Sequence, residues 1–185
     1  MKKILSILVL NLIITSIVMA YEEANYEVVK QNKVYEIRKY SDRLAIETIA
    51  SSQGGSFRKL FNYISGNNES KEEISMTTPV TQIEKKGSMT MQFYLPSKFN
   101  KDNTPSPSNS DIKILNIKGG YYAVIKYSGR ASDKNFIKHK DILENELIKN
   151  EILILSSPIK ATYDKPFTLP MLRRNEAMFK ININL

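Results

Sequence analysis

The chain has 185 residues, with 27 Lys and Arg against 19 Asp and Glu for a formal net charge of +8, no cysteine and a single histidine, His139. The lack of thiols excludes thiolate catalysis, zinc–thiolate sites and anchoring through a lipidated cysteine, and one histidine excludes a two-histidine metal site within one chain. The basic excess suits an anionic partner in principle, but the lysines are interspersed with Glu and Asp rather than clustered, which reads as a solvated surface rather than a nucleic-acid patch.

The first twenty residues read as a bacterial-type signal peptide. Lys2 and Lys3 form a basic start, Ile4 to Ala20 carry no charge, and Val18-Met19-Ala20 places small residues at −3 and −1 of a cleavage site before Tyr21. This predicts a periplasmic or secreted protein with no stable membrane insertion once the signal is cleaved. Inner-membrane anchoring is the alternative, since seventeen apolar-rich residues are at the short limit of a span. Export also makes nucleic acid the poorest partner. Residues 21–185 then suffice for one domain with a sizeable core; the sequence sets no oligomeric state.

Tyr26 to Val29 and Val34 to Tyr40 read as strands about an Asn32-Lys33 turn, and Leu44 to Ala50 as a third. Ser51 to Gly55 reads as a loop before an amphipathic helix. Phe57, Leu60, Phe61 and Ile64 recur at i, i+3, i+4 and i+7 on one face, and Ser65-Gly66 ends it. Ile74 to Ile83 and Met89 to Leu95 are strands, the second with Met89, Met91, Phe93 and Leu95 on one side. Asn100 to Asp111, rich in Pro, Ser and Asn, reads as a hinge between halves. Ile112 to Ile117, a Gly119-Gly120 hairpin turn and Tyr121 to Tyr127 follow, then a helix over Asp133 to Asn150 with Phe136, Leu143 and Leu147 inside. Ile159 to Tyr163 and Asn175 to Ile183 are the last strands. Strand, strand, helix, strand, strand thus occurs twice. This predicts an α+β fold in which two such units pair into one curved or barrel-like antiparallel sheet with the helices outside.

The strings VYEIRKY, SFRKLFNYISGNNES, ISMTTPV, MTMQFYLPSKF, SGRAS and YDKPFTLPMLRRNE, in this order from about Tyr26 to the C-terminus, resemble the SOUL haem-binding family. The resemblance implies duplicated βαββ units forming a distorted antiparallel β-barrel flanked by two helices. It also implies non-covalent binding of haem or another tetrapyrrole, with no catalytic residue common to the family. Where a family member ligates iron through histidine, just before the last tyrosine of Tyr-Glu-Ile-Arg-x-Tyr, this chain has Lys39. Protonated lysine is a poor iron ligand, so the chain is similar to members that hold haem in an apolar cleft without that bond. His139, Met76, Met171 or a tyrosine are conceivable substitutes.

Haem is a flat apolar disc with two propionates, so its site needs apolar walls and cations at the rim. Phe57, Leu60, Phe61 and Ile64 offer one wall, with Arg58 and Lys59 as propionate partners, and Phe167 and Met171 of the C-terminal loop, with Leu169 and Leu172, could close the other side. Ordinary core packing explains the helix face equally well. Arg173-Arg174 near Glu176 reads first as an arginine forked onto a carboxylate that sets the register of the last strand. Asn68-Glu69-Ser70 is formally a glycosylation sequon, of little weight beside a bacterial-type signal. Glu69, Glu72 and Glu73 read as a solvated turn, and His139 as a histidine flanking the helix face. No nucleophile elbow or phosphate-binding glycine loop is present, so the reading is a non-enzymatic carrier or buffer of haem. The alternative is an enzyme on the same scaffold acting on a tetrapyrrole or small hydrophobic substrate.

Overall fold

The computed structural model describes residues 21–50, 52–85 and 87–183; the signal-like segment lies outside them. The elements are β1 (Glu22–Glu23), β2 (Tyr26–Gln31), β3 (Glu36–Tyr40), β4 (Arg43–Ala50), α1 (Gln53–Ile64), β5 (Thr77–Thr78), β6 (Val80–Lys85), β7 (Ser88–Tyr94), β8 (Ile112–Ile117), β9 (Gly120–Tyr127), α2 (Asp133–Lys149), β10 (Leu153–Ile154), β11 (Ile159–Thr162), a 3-10 turn (Pro170–Leu172) and β12 (Asn175–Asn182). The strands form a curled antiparallel sheet in the order β2-β3-β9-β12-β11-β6-β7-β4-β8, with β10 continuing the β11 edge along β12 and β1 paired to β5 alongside. The α+β half-barrel with two helices is the expected architecture.

The strand order also shows how the two units combine. Exchanging β3 with β8, β4 with β9, β6 with β11 and β7 with β12 reverses the order from β3 to β8 without changing it, so a pseudo-twofold axis passes between β6 and β11. Each unit lends its first strand to the other: β3 pairs with β9, and β8 with β4. The Gly119-Gly120 turn is therefore not the hairpin the sequence suggests, because β8 and β9 lie in opposite halves of the sheet. Gly119 sits where this connection presses on the β3–β4 turn; a Cβ there would lie 2.3 Å from the Tyr40 carbonyl oxygen.

Alternation along the strands divides the interior into two faces. On the convex face, α1 lays Leu60, Tyr63 and Ile64 on Ile46, Met91 and Phe93. Likewise α2 lays Leu143 and Leu147 on Ile37, Ala123, Ala177 and Phe179. At about 1.5 to 3 kcal/mol for each fully buried Leu or Ile, these faces hold the helices. The concave face carries Tyr40, Tyr122, Val124 and Met178.

Helix α1 departs from its sequence reading in two ways. It starts earlier, at Gln53, because the Ser52 hydroxyl caps it by accepting from the Gly55 N–H at 3.3 Å. Its buried stripe is Ser56, Leu60, Tyr63 and Ile64, so Phe57 and Phe61 sit half-exposed at the margin. The stripe turns because Tyr63 enters the core whole, its hydroxyl donating to the Pro105 carbonyl at 2.6 Å. That bond, with Glu69 N–H to the Ser106 carbonyl at 3.0 Å, straps the 100–111 segment to the turn after α1. The segment is thus anchored and is not a hinge. Asn68, 3 % exposed, bonds the Tyr63 and Glu72 carbonyls and accepts from the Glu72 N–H, so the sequon asparagine is a structural clamp.

Candidate functional site

On the concave face, β3 and β12 bring together a closed ionic network. Arg38 and Glu176, both 0 % exposed, fork onto each other at 3.0 and 3.1 Å. Arg38 Nε also donates to Glu36 at 2.8 Å, and Tyr163 donates to Glu176 at 2.6 Å. Arg174 bridges Glu176 at 2.9 Å and forks onto Glu23 at 2.8 and 2.9 Å, while Lys126 pairs with Glu36 at 2.9 Å. Three cations face three carboxylates. Burial discourages the Arg38 charge, but hydrogen bonding and attraction from Glu176 outweigh it and raise the guanidinium above its ordinary value. Burial pushes the Tyr40 phenol up to about 12 against the pull of Arg38. Every polar group here is matched by another on the chain, so this network serves the fold rather than chemistry on a ligand.

The sequence-predicted haem residues divide into two groups. On α1, Leu60 and Ile64 belong to the core. Phe57 and Phe61 stack on each other at 5.9 Å, 39 % and 46 % exposed, with Phe57 edge-on to Phe93 at 5.2 Å. Arg58 is exposed, whereas Lys59 is paired with Asp111. The space between α1 and the sheet is filled by the Leu60, Tyr63, Met91 and Phe93 packing, which leaves only the helix margin for a ligand.

The second group lies elsewhere. Residues 163–174 connect β11 to β12, the place that a tight β6–β7 hairpin, paired down to Lys85–Ser88, takes in the first unit. The loop packs on the start of α2 through Gly129 N–H to the Pro170 carbonyl at 2.8 Å. Arg173 holds it from within, Nε donating to the Thr168 carbonyl at 2.8 Å and an Nη to the Pro166 carbonyl. With its polar groups tied down in this way, the loop turns its apolar side chains outward: Phe167 is 95 % exposed, Met171 73 %, Leu172 70 % and Leu169 58 %. A shallow groove of about 530 Å³ runs between Pro166–Pro170 and Arg130–Ser132, with Arg173 on its wall. Apolar side chains beside two arginines are the furniture a haem site needs, and such a cluster exposed together marks a contact surface. The loop and the α1 margin thus flank different helices.

Lys39 is exposed on β3, opposite Tyr121 at the start of β9. The loop meets the sheet near Tyr127, six residues along that strand, roughly 20 Å away at about 3.3 Å per residue. His139 stacks on Tyr127 at 4.1 Å with Nδ1 on the Asn135 carbonyl at 2.8 Å, and Met76 packs against the α1 core. Among the described residues no group of three or more His, Cys, Asp or Glu could hold a metal ion, and no helix is long and apolar enough to cross a membrane.

Comparison with known proteins gives the family and the fold. The profile of the family described as SOUL heme-binding protein matches residues 21–180. The mouse protein named Heme-binding protein 2 is 31 % identical over 166 residues, covering 81 % of this chain and 78 % of its own length; the human protein of the same name is 37 % identical over 94 residues, 43 % and 45 %. Among solved structures, the EcmrR C-terminal domain aligns over 85 % of this chain and 98 % of its own with a TM-score of 0.62 at 13 % identity. A hydrolase from Listeria innocua aligns over 83 % and 94 % with a TM-score of 0.60 at 7 % identity. These last two likenesses are of fold alone.

Proposed function

Because the chain belongs to the SOUL heme-binding protein family, we propose that it binds haem or a related tetrapyrrole and works as an exported, non-enzymatic buffer or carrier. The observation that carries this reading is the 163–174 loop: four large apolar side chains held out in water beside Arg130 and Arg173. The porphyrin face would cover Phe167, Leu169 and Met171, and Arg130 would take a propionate, its side chain being exposed at the rim. Arg173 is occupied by backbone carbonyls and would keep the loop in shape. The groove is open, so the affinity rests on apolar area and two charges rather than on enclosure. Met171 offers the one thioether of the loop to iron; Lys39 is exposed at the far end of β9's partner strand and His139 is stacked on Tyr127.

The α1 margin supports a second docking place on the same reading, since Phe57 and Phe61 present a parallel aromatic pair next to Arg58. Export rests on the basic and then apolar start of the chain, and the non-enzymatic reading on the pairing of every buried acid described above.

Titrating the purified chain with haemin tests the proposal. A saturable Soret shift is expected, weakened in Phe167→Ala/Met171→Ala and retained in Phe57→Ala/Phe61→Ala. The reverse pattern would move the site to α1, and no saturable shift would sink the reading.

A further inference from the structure

Three arginines on the concave face each sit over a tyrosine ring. Arg38 covers Tyr26 at 4.2 Å and Arg174 covers Tyr163 at 3.8 Å. Both complete the arrangement with carboxylates, Arg38 with Glu36 and Glu176, and Arg174 with Glu23 and Glu176. Arg43 is held more firmly still, between Tyr40 at 4.4 Å and Tyr94 at 4.2 Å. Yet among the described residues no carboxylate oxygen lies within 4.0 Å of it, and its Nε is buried without a hydrogen-bond partner.

Arg43 lines a cleft of about 310 Å³ bounded by Glu22–Asn25, the β3–β4 turn, Thr77-Thr78 and the end of β7. Its acids are already engaged. Glu22 accepts the Ser97 N–H at 2.7 Å, and Glu23 forks onto Arg174. Asp42 accepts from Lys118, Gly119 N–H and Asn116 at 2.8 to 3.1 Å, and the Lys118 bond foremost holds its carboxyl down at about 2. Glu23 and Asp42 are thus paired with cations while Glu22 accepts a backbone N–H, and among the described residues Arg43 is the one cation lining the cleft, with no carboxylate partner. Leu44, Leu95, Pro96 and Phe99 supply an apolar wall beside it.

We infer that this cleft binds a small molecule bearing a carboxylate on an apolar body, with Arg43 as receptor for the carboxylate and Leu44, Leu95, Pro96 and Phe99 against the body. A planar guanidinium clamped between two rings has already lost its rotamer freedom, so a carboxylate meets a preorganised fork. The volume is at the small end of ligand pockets, which favours a monocarboxylate of one ring or a short chain over a porphyrin. The site is separate from the 163–174 groove and stands or falls independently of haem binding.

The test is a chemical-shift titration of the whole chain with benzoate and with its neutral counterpart benzamide. Saturable shifts are expected at the amides of Arg43, Thr78 and Tyr94 with benzoate, and binding at least tenfold weaker with benzamide. Arg43→Gln should lose benzoate by a similar factor and Arg43→Lys, which keeps charge without the fork, should fall between. Phe167→Ala/Met171→Ala should bind benzoate as the native chain does. Equal binding of benzoate and benzamide, native affinity in Arg43→Gln, shifts that map elsewhere, or no saturation up to about 10 mM would each overturn the inference. Should Arg43→Gln fail to fold, the benzoate–benzamide comparison on the native chain decides.

Discussion

Glu176→Gln is the perturbation whose cost can be worked most directly from the structure. Glu176 is fully buried and accepts from Arg38, Arg174 and Tyr163, balancing a network in which Glu23, Glu36 and Lys126 are the other charges. Glutamine keeps the shape but removes one negative charge and turns an NH₂ toward donors, leaving Arg38 buried with only Glu36. Breaking a buried pair on one side costs roughly 3 to 5 kcal/mol, a large share of the 5 to 15 kcal/mol typical of a domain. At about 2 to 4 °C per kcal/mol for a chain of this size, the melting temperature should fall by roughly 6 to 20 °C. The double variant Arg38→Met/Glu176→Leu removes both charges and leaves Glu36 on Lys126 and Arg174 on Glu23. It should therefore be more stable than Glu176→Gln, and a double-mutant cycle from urea unfolding followed by circular dichroism should show strong coupling. A Glu176→Gln change within about 1 kcal/mol of native, or simple additivity in the cycle, would refute the role given to this pair.

Phe167→Ala should separate binding from folding. The side chain is 95 % exposed, so stability should stay within about 0.5 kcal/mol, while haemin affinity should drop roughly tenfold to a hundredfold if its burial contributes about 1.5 to 3 kcal/mol. Phe179→Ala, at 2 % exposure under α2, should instead cost about 3 to 5 kcal/mol of stability in the same unfolding assay. Gly119→Ala should destabilise by roughly 1 to 3 kcal/mol, because the added methyl meets the Tyr40 backbone rather than a movable side chain; native stability would show that the two connections are not pressed together. Burial raises the Tyr40 and Tyr63 phenols to about 12, so the folded state holds these protons more tightly than the unfolded chain does at about 10. Their stabilisation is complete below about pH 10 and is lost as pH rises through 12; a urea midpoint unchanged up to pH 12 would contradict this.

The duplicated strand, strand, helix order and the α+β class were legible because period-2 and period-3.6 patterns are local. What crosses between the units was not. Nothing near Gly119 distinguishes a hairpin from a connection that carries β9 to the far half of the sheet, since both need a tight glycine turn. Glu176 and Arg174 could be read as an ion pair, but Arg38, 138 residues away, completes it. The signal for Arg38 was present in the alternation: with Ile37 facing the helix, Glu36, Arg38 and Tyr40 share the other face of β3. Tyr63 falls outside the Phe57, Leu60, Phe61 and Ile64 stripe because a helical wheel counts tyrosine as polar, whereas its ring packs in the core and its hydroxyl finds Pro105. Of the candidate site, Phe167 and Met171 could be picked out as apolar loop residues, and their distance from α1 follows only from the topology.

The outward-facing loop between β11 and β12 is the proposed tetrapyrrole-binding surface. Haemin titration of the native chain beside Phe167→Ala/Met171→Ala, with stability measured on both, tests it most directly. A saturable Soret change in the native chain that weakens at least tenfold in the equally stable double variant is the predicted result. Identical haemin binding by the two proteins would contradict it.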